Sequence, residues 1–288
     1  MIPSLPRSRA TRFGMAACVA AFFVFLFVPL AVVAVFAFND ANYPAPPWRG
    51  FTLDWFVGSG GGERTGLFAD APLLRSIGTS VLVAAWVTVL SVLAGTANAF
   101  LLERAHFRGK SALSLLMLSP LVIPGVILGI SILAFASRVA QLADDLWGLE
   151  LDFLRPGLPL VVAGQFSYIV SIATLTIAAR LKRFDASLEE AAHNLGASRL
   201  AVLRTVTLPY LRPALVGAAA IAFLMSFENF NTTLMLVGSD PPLTVMMYGR
   251  MREGASPVLN AVSLFLMVAS ALLALTLLRR PGPEARAR

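Results

Sequence analysis

Few residues in this chain are equipped for chemistry. His106 and His193 are the two histidines, and Cys18 is the one cysteine. A single thiol excludes an internal disulfide and a Cys-pair metal site. Neither histidine has a ligand set beside it, so no metal site is predicted. No nucleophile–histidine–acid set assembles either, so no catalytic residue is assigned. Gly109-Lys110-Ser111 ends like a phosphate-binding loop, but that pattern requires glycine at 104, where Arg104 stands. The chain is therefore expected to bind no cofactor, and any ATP it depends on must be hydrolysed by another protein.

One acid stands out. Glu228 lies in an apolar run, in the stretch Ser226-Phe227-Glu228-Asn229-Phe230-Asn231-Thr232-Thr233. A carboxylate inside a membrane costs several kcal/mol unless it faces water, a partner or a pathway. Read as a helix, Asn231 and Thr232 share its face, giving a polar stripe. Glu228, Asn229, Asn231 and Thr232 are thus candidates for a solute path, with the carboxylate favouring a cationic solute. A polar lock between helices, or an exposed acid at a helix end, is the alternative.

The second candidate is residues 190–209, EAAHNLGASRLAVLRTVTLP, a polar segment between two apolar spans. Leu188, Ala191, Ala192 and Leu195 follow helical spacing. Ser187 and Glu190 form a capping-box pattern. Gly196 stands where a helix ends in a left-handed residue. Ser198 can cap a second short helix, which Pro209 and Pro213 would close. The pattern predicts a helix–turn–helix that offers an apolar, small-residue face to another molecule.

These segments sit in a chain built for lipid. Of its 288 residues 57% are hydrophobic and 14% charged, against about 25% charged in soluble domains. The fold class expected is all-α and integral to a membrane, a single domain over 1–288. Six spans are predicted, at about 15–38, 76–102, 111–137, 159–179, 213–237 and 257–278, with the polar helix–turn–helix loop at 184–209. The first run is too long for a signal-peptide core of about 7–15 residues. Pro120, Pro124, Gly125 and Gly129 should kink or locally unwind the third.

Charge sets the orientation. Sixteen of the 23 Lys and Arg residues fall at the termini, at 103–110 and at 180–212, and seven in the other three loops. Five acids lie on the first side and ten on the second, Glu228 remaining within a span. The positive-inside rule then puts both termini and the loop 184–209 in the cytoplasm. Topology and anionic lipid explain the net charge of +7, with no nucleic acid needed.

Glu190-Ala191-Ala192, three residues, Gly196, nine residues and Val206-Thr207-Leu208-Pro209 together resemble the EAA loop of ABC-importer permeases. The likeness runs over nearly the whole chain and is nearest to spermidine/putrescine-type permeases of the C type. Gly95-Thr96, Pro120 to Pro124, Arg180-Leu181, Phe184-Asp185, Gly238, Tyr248 and Ser256-Pro257 support it. It implies a type I, MetI-like permease fold in the bacterial inner membrane. It also implies two cytoplasmic ATPase subunits that use ATP and Mg, a second permease chain forming a heterodimer, and a periplasmic or lipoprotein solute-binding protein. Glu190, Ala191, Ala192, Gly196, Ala197, Leu208 and Pro209 would form the ATPase-coupling surface. Three positions depart from the polyamine pattern: Gly125 and Asn229 replace acids, and Leu243-Thr244 replaces Leu-Pro. Another small solute, such as an aminophosphonate, an amino-acid-like compound or ferric iron, is the alternative. A stand-alone secondary transporter is the more distant one.

Overall fold

The computed structural model describes residues 9–58, 64–254 and 256–278. The described residues form helices, turns and one isolated antiparallel bridge, Asn39 to Phe51. Arg7, residues 59–62 of the glycine tract and the arginine-rich tail lie outside them. The chain divides into two compact units, one within residues 1–74 and 249–288, the other Arg75–Tyr248.

The first unit holds α1 (Arg9–Phe36), α2 (Asp54–Val57) and the start of α3 (Ala71–Arg104). No residue of α1 is buried, although it is apolar along nearly its whole length and lies beside the last helix of the chain. Between α1 and α3, outside the predicted spans, the described residues are held by specific contacts. Asn39 is the pivot: its Oδ1 accepts from Arg49 N at 2.8 Å, and its backbone carbonyl accepts from the buried Trp55 Nε1 at 2.9 Å. Phe38 stacks on Phe51 and Phe56. Asp70 caps α3 through Leu73 N at 3.0 Å, and both its oxygens bind the Arg250 guanidinium.

The second unit continues α3 and adds α4 (Lys110–Leu118), α5 (Gly125–Trp147) and α6 (Leu158–Leu181). The third expected span is therefore in two pieces. Ser119–Leu121 form a 3-10 turn, and Pro124 stands at the N-terminus of α5, where its missing N–H does no harm. α5 then runs on past the expected loop boundary, through Asp144 and Asp145, until Gly148 ends it at φ +62°. α6 is the most buried of the membrane-length helices. Val83, Val87, Ala136, Leu160, Val161, Ile169, Ala222 and Leu236 form the core around it.

Next come α7 (Ser187–Asn194) and α8 (Arg199–Val202), a π-helical turn at Leu203–Thr207, then α9 (Leu208–Phe227) and α10 (Asn231–Leu236). Pro209 and Pro213 do not close the second coupling helix: Arg199–Phe227 is one continuous helical run of 29 residues. The wider π turn precedes Pro209, which occupies the first turn of α9, so the run absorbs its missing donor. The fifth span instead breaks at Glu228–Phe230, short of its expected end. α11 (Leu243–Gly254) fills what was expected to be a loop, and α12 (Val258–Leu278) matches the sixth span. Five described helices are long and apolar enough to cross a membrane, and shorter apolar helical stretches run over Lys110–Leu121 and over Val258–Leu272 within α12.

Candidate coupling loop and solute path

The coupling loop forms as its turn residues require. α7 ends in a Schellman turn: Ala197 N donates to Ala192 O at 3.1 Å, and Gly196 N to His193 O at 2.9 Å. Gly196 has φ +87°, where a side chain would strain the backbone. Ser198 Oγ accepts from Ala201 N at 3.3 Å and so caps α8. The cap of α7 differs from the one expected. Ser187 is the first helical residue, and Asp185 Oδ1 takes the orphan N–H of Ser187 at 3.0 Å. The Ser187 hydroxyl and N–H hold the Asp185 carboxyl below its usual range.

α7 contains no buried residue. Glu190 and Ala191 are exposed and Ala192 is half-buried. Leu188, Leu195 and Leu200 are exposed by 51%, 89% and 55%, a cost in water that a protein surface covering them would remove. Ala197 and Leu208 are half-buried, and Pro209 is exposed. Beneath the loop, Leu181, Phe184 and Leu211 pack with Phe100, Val206 and Tyr210. The Arg180 guanidinium lies 4.3 Å from the Tyr210 ring centroid.

What fastens α7 to this platform is Glu189, which the sequence reading passed over. Its Oε1 accepts from Thr207 Oγ1 at 2.6 Å and from Arg104 Nη2 at 3.3 Å. Its Oε2 lies 3.1 Å from Arg104 Nη1. Arg104 in turn sits over the Phe184 ring at 5.4 Å. The adjacent glutamates divide the work: Glu189 points inward and Glu190 outward.

At the expected solute path Glu228 separates from the other three. The break at Glu228–Phe230 removes the helical face that would have aligned Glu228 with Asn231 and Thr232. Glu228 and Asn231 are exposed. Asn229 belongs to a directional chain of hydrogen bonds. Ser226 Oγ donates to Gln165 Oε1, and Gln165 Nε2 donates to Thr233 Oγ1 at 2.8 Å. Thr233 Oγ1 donates to Asn229 Oδ1 at 2.8 Å, and Asn229 Nδ2 to Tyr168 Oη at 2.6 Å. Thr232 is buried and donates to Gly125 O at 3.2 Å. A cavity of about 320 Å³ lies beside this chain. Tyr168, Asn229, Asn231 and Thr232 supply its polar lining, and no charged residue lines it. Among the described residues no cluster of His, Cys, Asp and Glu is arranged to hold a metal.

The model of the family described as "Binding-protein-dependent transport system inner membrane component" matches residues 88–279. The chain belongs to that family. The putrescine transport system permease protein PotI of Escherichia coli K12 is 27% identical over 247 residues, covering 85% of this permease and 82% of that relative. The spermidine/putrescine permease protein PotC of Haemophilus influenzae is 29% identical, covering 86% and 88%. A putative 2-aminoethylphosphonate permease protein, PhnV of Salmonella paratyphi A, is 30% identical, covering 91% and 94%. A solved bacterial alginate ABC importer chain shares the fold at TM-score 0.71 and 18% identity, covering 92% of both chains. An inward-facing chain of the methionine transporter MetNI does so at 0.51 and 17%, covering 72% of this permease and 92% of that chain. The permease thus has the ABC-importer membrane fold, and the matched region contains both candidate sites.

Proposed function

We propose that this permease is one half of the transmembrane path of an ATP-driven importer, and that the loop 184–209 is where the driving force enters. The carrying observation is that loop. Its first helix has no fully buried residue, Leu188, Leu195 and Leu200 stand exposed, and a polar clasp fixes it to the helices behind. Such a face is completed by another protein. In this reading the protein is one of two cytoplasmic ATPase subunits, which hold the ATP and Mg. A second permease chain completes the path, and a solute-binding protein delivers cargo on the opposite side. Both termini lie in the cytoplasm, where the basic residues concentrate. ATP binding does work on the permease only if the loop binds the two ATPase states unequally.

The cargo supported by the PotI and PotC likeness is a polyamine. One observation favours a second reading, an aminophosphonate. The cavity beside Asn229 has a neutral polar lining, which suits a zwitterion better than a polycation. Uptake of labelled putrescine into cells carrying the complete transporter, with unlabelled spermidine or 2-aminoethylphosphonate as competitor, separates the two. ATP-independent flux from the purified permease alone in liposomes would overturn the importer reading.

A further inference from the structure

We propose that Glu189 is the positioning residue through which movement of the coupling loop reaches the membrane helices. This rests on reading 184–209 as the coupling loop. α7 has no buried side chain, so apolar packing cannot hold it. Its remaining polar contacts are local: Asp185 bonds Ser187 at one end, and His193 Nδ1 bonds Ala197 O at 3.0 Å at the other. Glu189 reaches further. One carboxylate oxygen binds Thr207, a buried residue in the π turn leading into α9. Both oxygens engage Arg104, the last residue of α3.

The clasp therefore joins three elements that chain connectivity alone leaves loose. Arg104 lies 85 residues from Glu189. Paired charge-assisted bonds to a planar guanidinium fix orientation as well as distance. A push on α7 is passed to the ends of α3 and α9 together, because displacing Glu189 alone would strip a half-buried carboxylate of its partners. Glu190, one residue along, remains exposed for the partner protein.

The test uses the transporter assembled with its ATPase and second permease chain, in a Cys18→Ser background. Spin labels at Ala186→Cys and Val216→Cys report the separation of the loop from α9, with and without ATP and vanadate. The expected result for the otherwise unaltered permease is one narrow distance distribution shared by both states. Glu189→Gln and Thr207→Val should broaden it while the ATPase stays bound. The exchange Arg104→Glu with Glu189→Arg should narrow it again, a rescue that a merely space-filling role would not give. An unchanged distribution in Glu189→Gln overturns the proposal. So does broadening, or loss of assembly, that the charge exchange fails to reverse. The coupling-loop reading fails separately: it falls if Leu195→Asp and Leu200→Asp leave ATPase co-purification intact.

Discussion

Thr207 Oγ1 donates to Glu189 Oε1 at 2.6 Å, linking the π turn below α9 to the first turn of α7. A valine at 207 keeps the shape and removes the donor. A hydrogen bond to a charged group contributes about 1.5–3 kcal/mol. Both contacts of this carboxylate with Arg104 remain. We expect Thr207→Val to lower the thermal stability of the detergent-solubilised permease by about 1 kcal/mol. Uptake should fall more than stability does. Equal stability in Thr207→Val and the parent chain would contradict the bond's contribution.

Gly196 separates folding from coupling. Its φ of +87° is strained for any residue with a Cβ, yet beyond its chain neighbours no atom lies within 4 Å of where a Cβ would stand. The penalty is backbone strain alone, about 1–2 kcal/mol. Gly196→Val should insert into the membrane normally and lose solute-dependent ATP turnover. Gly196→Asn, which tolerates the left-handed region, should keep most of it. Normal uptake in Gly196→Val would remove the turn from the coupling mechanism.

Asp70 sets an acid limit on the first unit. The Arg250 guanidinium, bonded to both its oxygens, holds its carboxyl below the ordinary 3.8; desolvation opposes this, and Leu73 N–H adds to it. A depressed folded value means that the stabilisation is fully present above the unfolded value of 3.8 and is lost as pH falls through the folded one. Protection of amides at 70–74 from hydrogen exchange should therefore be level from neutral pH down to that value and drop below it. Asp70→Asn should abolish this acid limb. It should also cost about 3 kcal/mol at neutral pH by leaving a half-buried guanidinium unpaired.

Gly125 stands where the polyamine-type pattern has an acid, and the fold supplies a reason. A Cβ there would approach Asn231 Cβ and Thr232 Oγ1 to 3.2 Å each. Those residues belong to α10, which rests on the N-terminus of α5 and whose Thr232 Oγ1 donates to Gly125 O. Gly125→Ala should cost about 1 kcal/mol in unfolding by crowding this contact. Gly125→Asp should cost more than Gly125→Ala and should not raise putrescine uptake. Increased uptake by Gly125→Asp would mean that α10 yields easily and that the position is open to the solute.

The parts of the fold visible in the sequence are those that composition alone determines. The apolar runs at 76–102 and 159–179 correspond to α3 and α6, and Gly196 and Ser198 mark the coupling turn as local chemistry requires. Hydropathy, however, records what a segment is made of and not whether its backbone is continuous. Pro209 and Pro213 look like stops, yet a π turn and a helix start accommodate them. The break at Glu228–Phe230 contains neither glycine nor proline, and long-range bonds from Asn229 and Thr244 secure it. Glu189 and Glu190 are the same residue type side by side. Arg104 and Thr207, both outside the helix, tell them apart.

Glu228 and Asn229 give the sharpest contrast at the solute path. Glu228 is exposed at the end of α9, outside both the cavity lining and the hydrogen-bond chain. Asn229 sits inside both: it accepts from Thr233 N and Oγ1, donates to Tyr168 Oη, and its carbonyl accepts from Thr244 Oγ1 at 2.9 Å. Asn229→Ala leaves the Thr233 and Tyr168 hydroxyls without their partner, at a cost of about 1–2 kcal/mol in a membrane setting. Glu228→Gln keeps the shape and removes only charge, so its unfolding should change by less than about 0.5 kcal/mol. If a cation passes this carboxylate, Glu228→Gln should raise the KM for putrescine with little change in melting, whereas Asn229→Ala should lower melting and transport together. A melting loss in Glu228→Gln as large as that in Asn229→Ala would make the carboxylate structural. Its place would then be with the polar lock and not on the path.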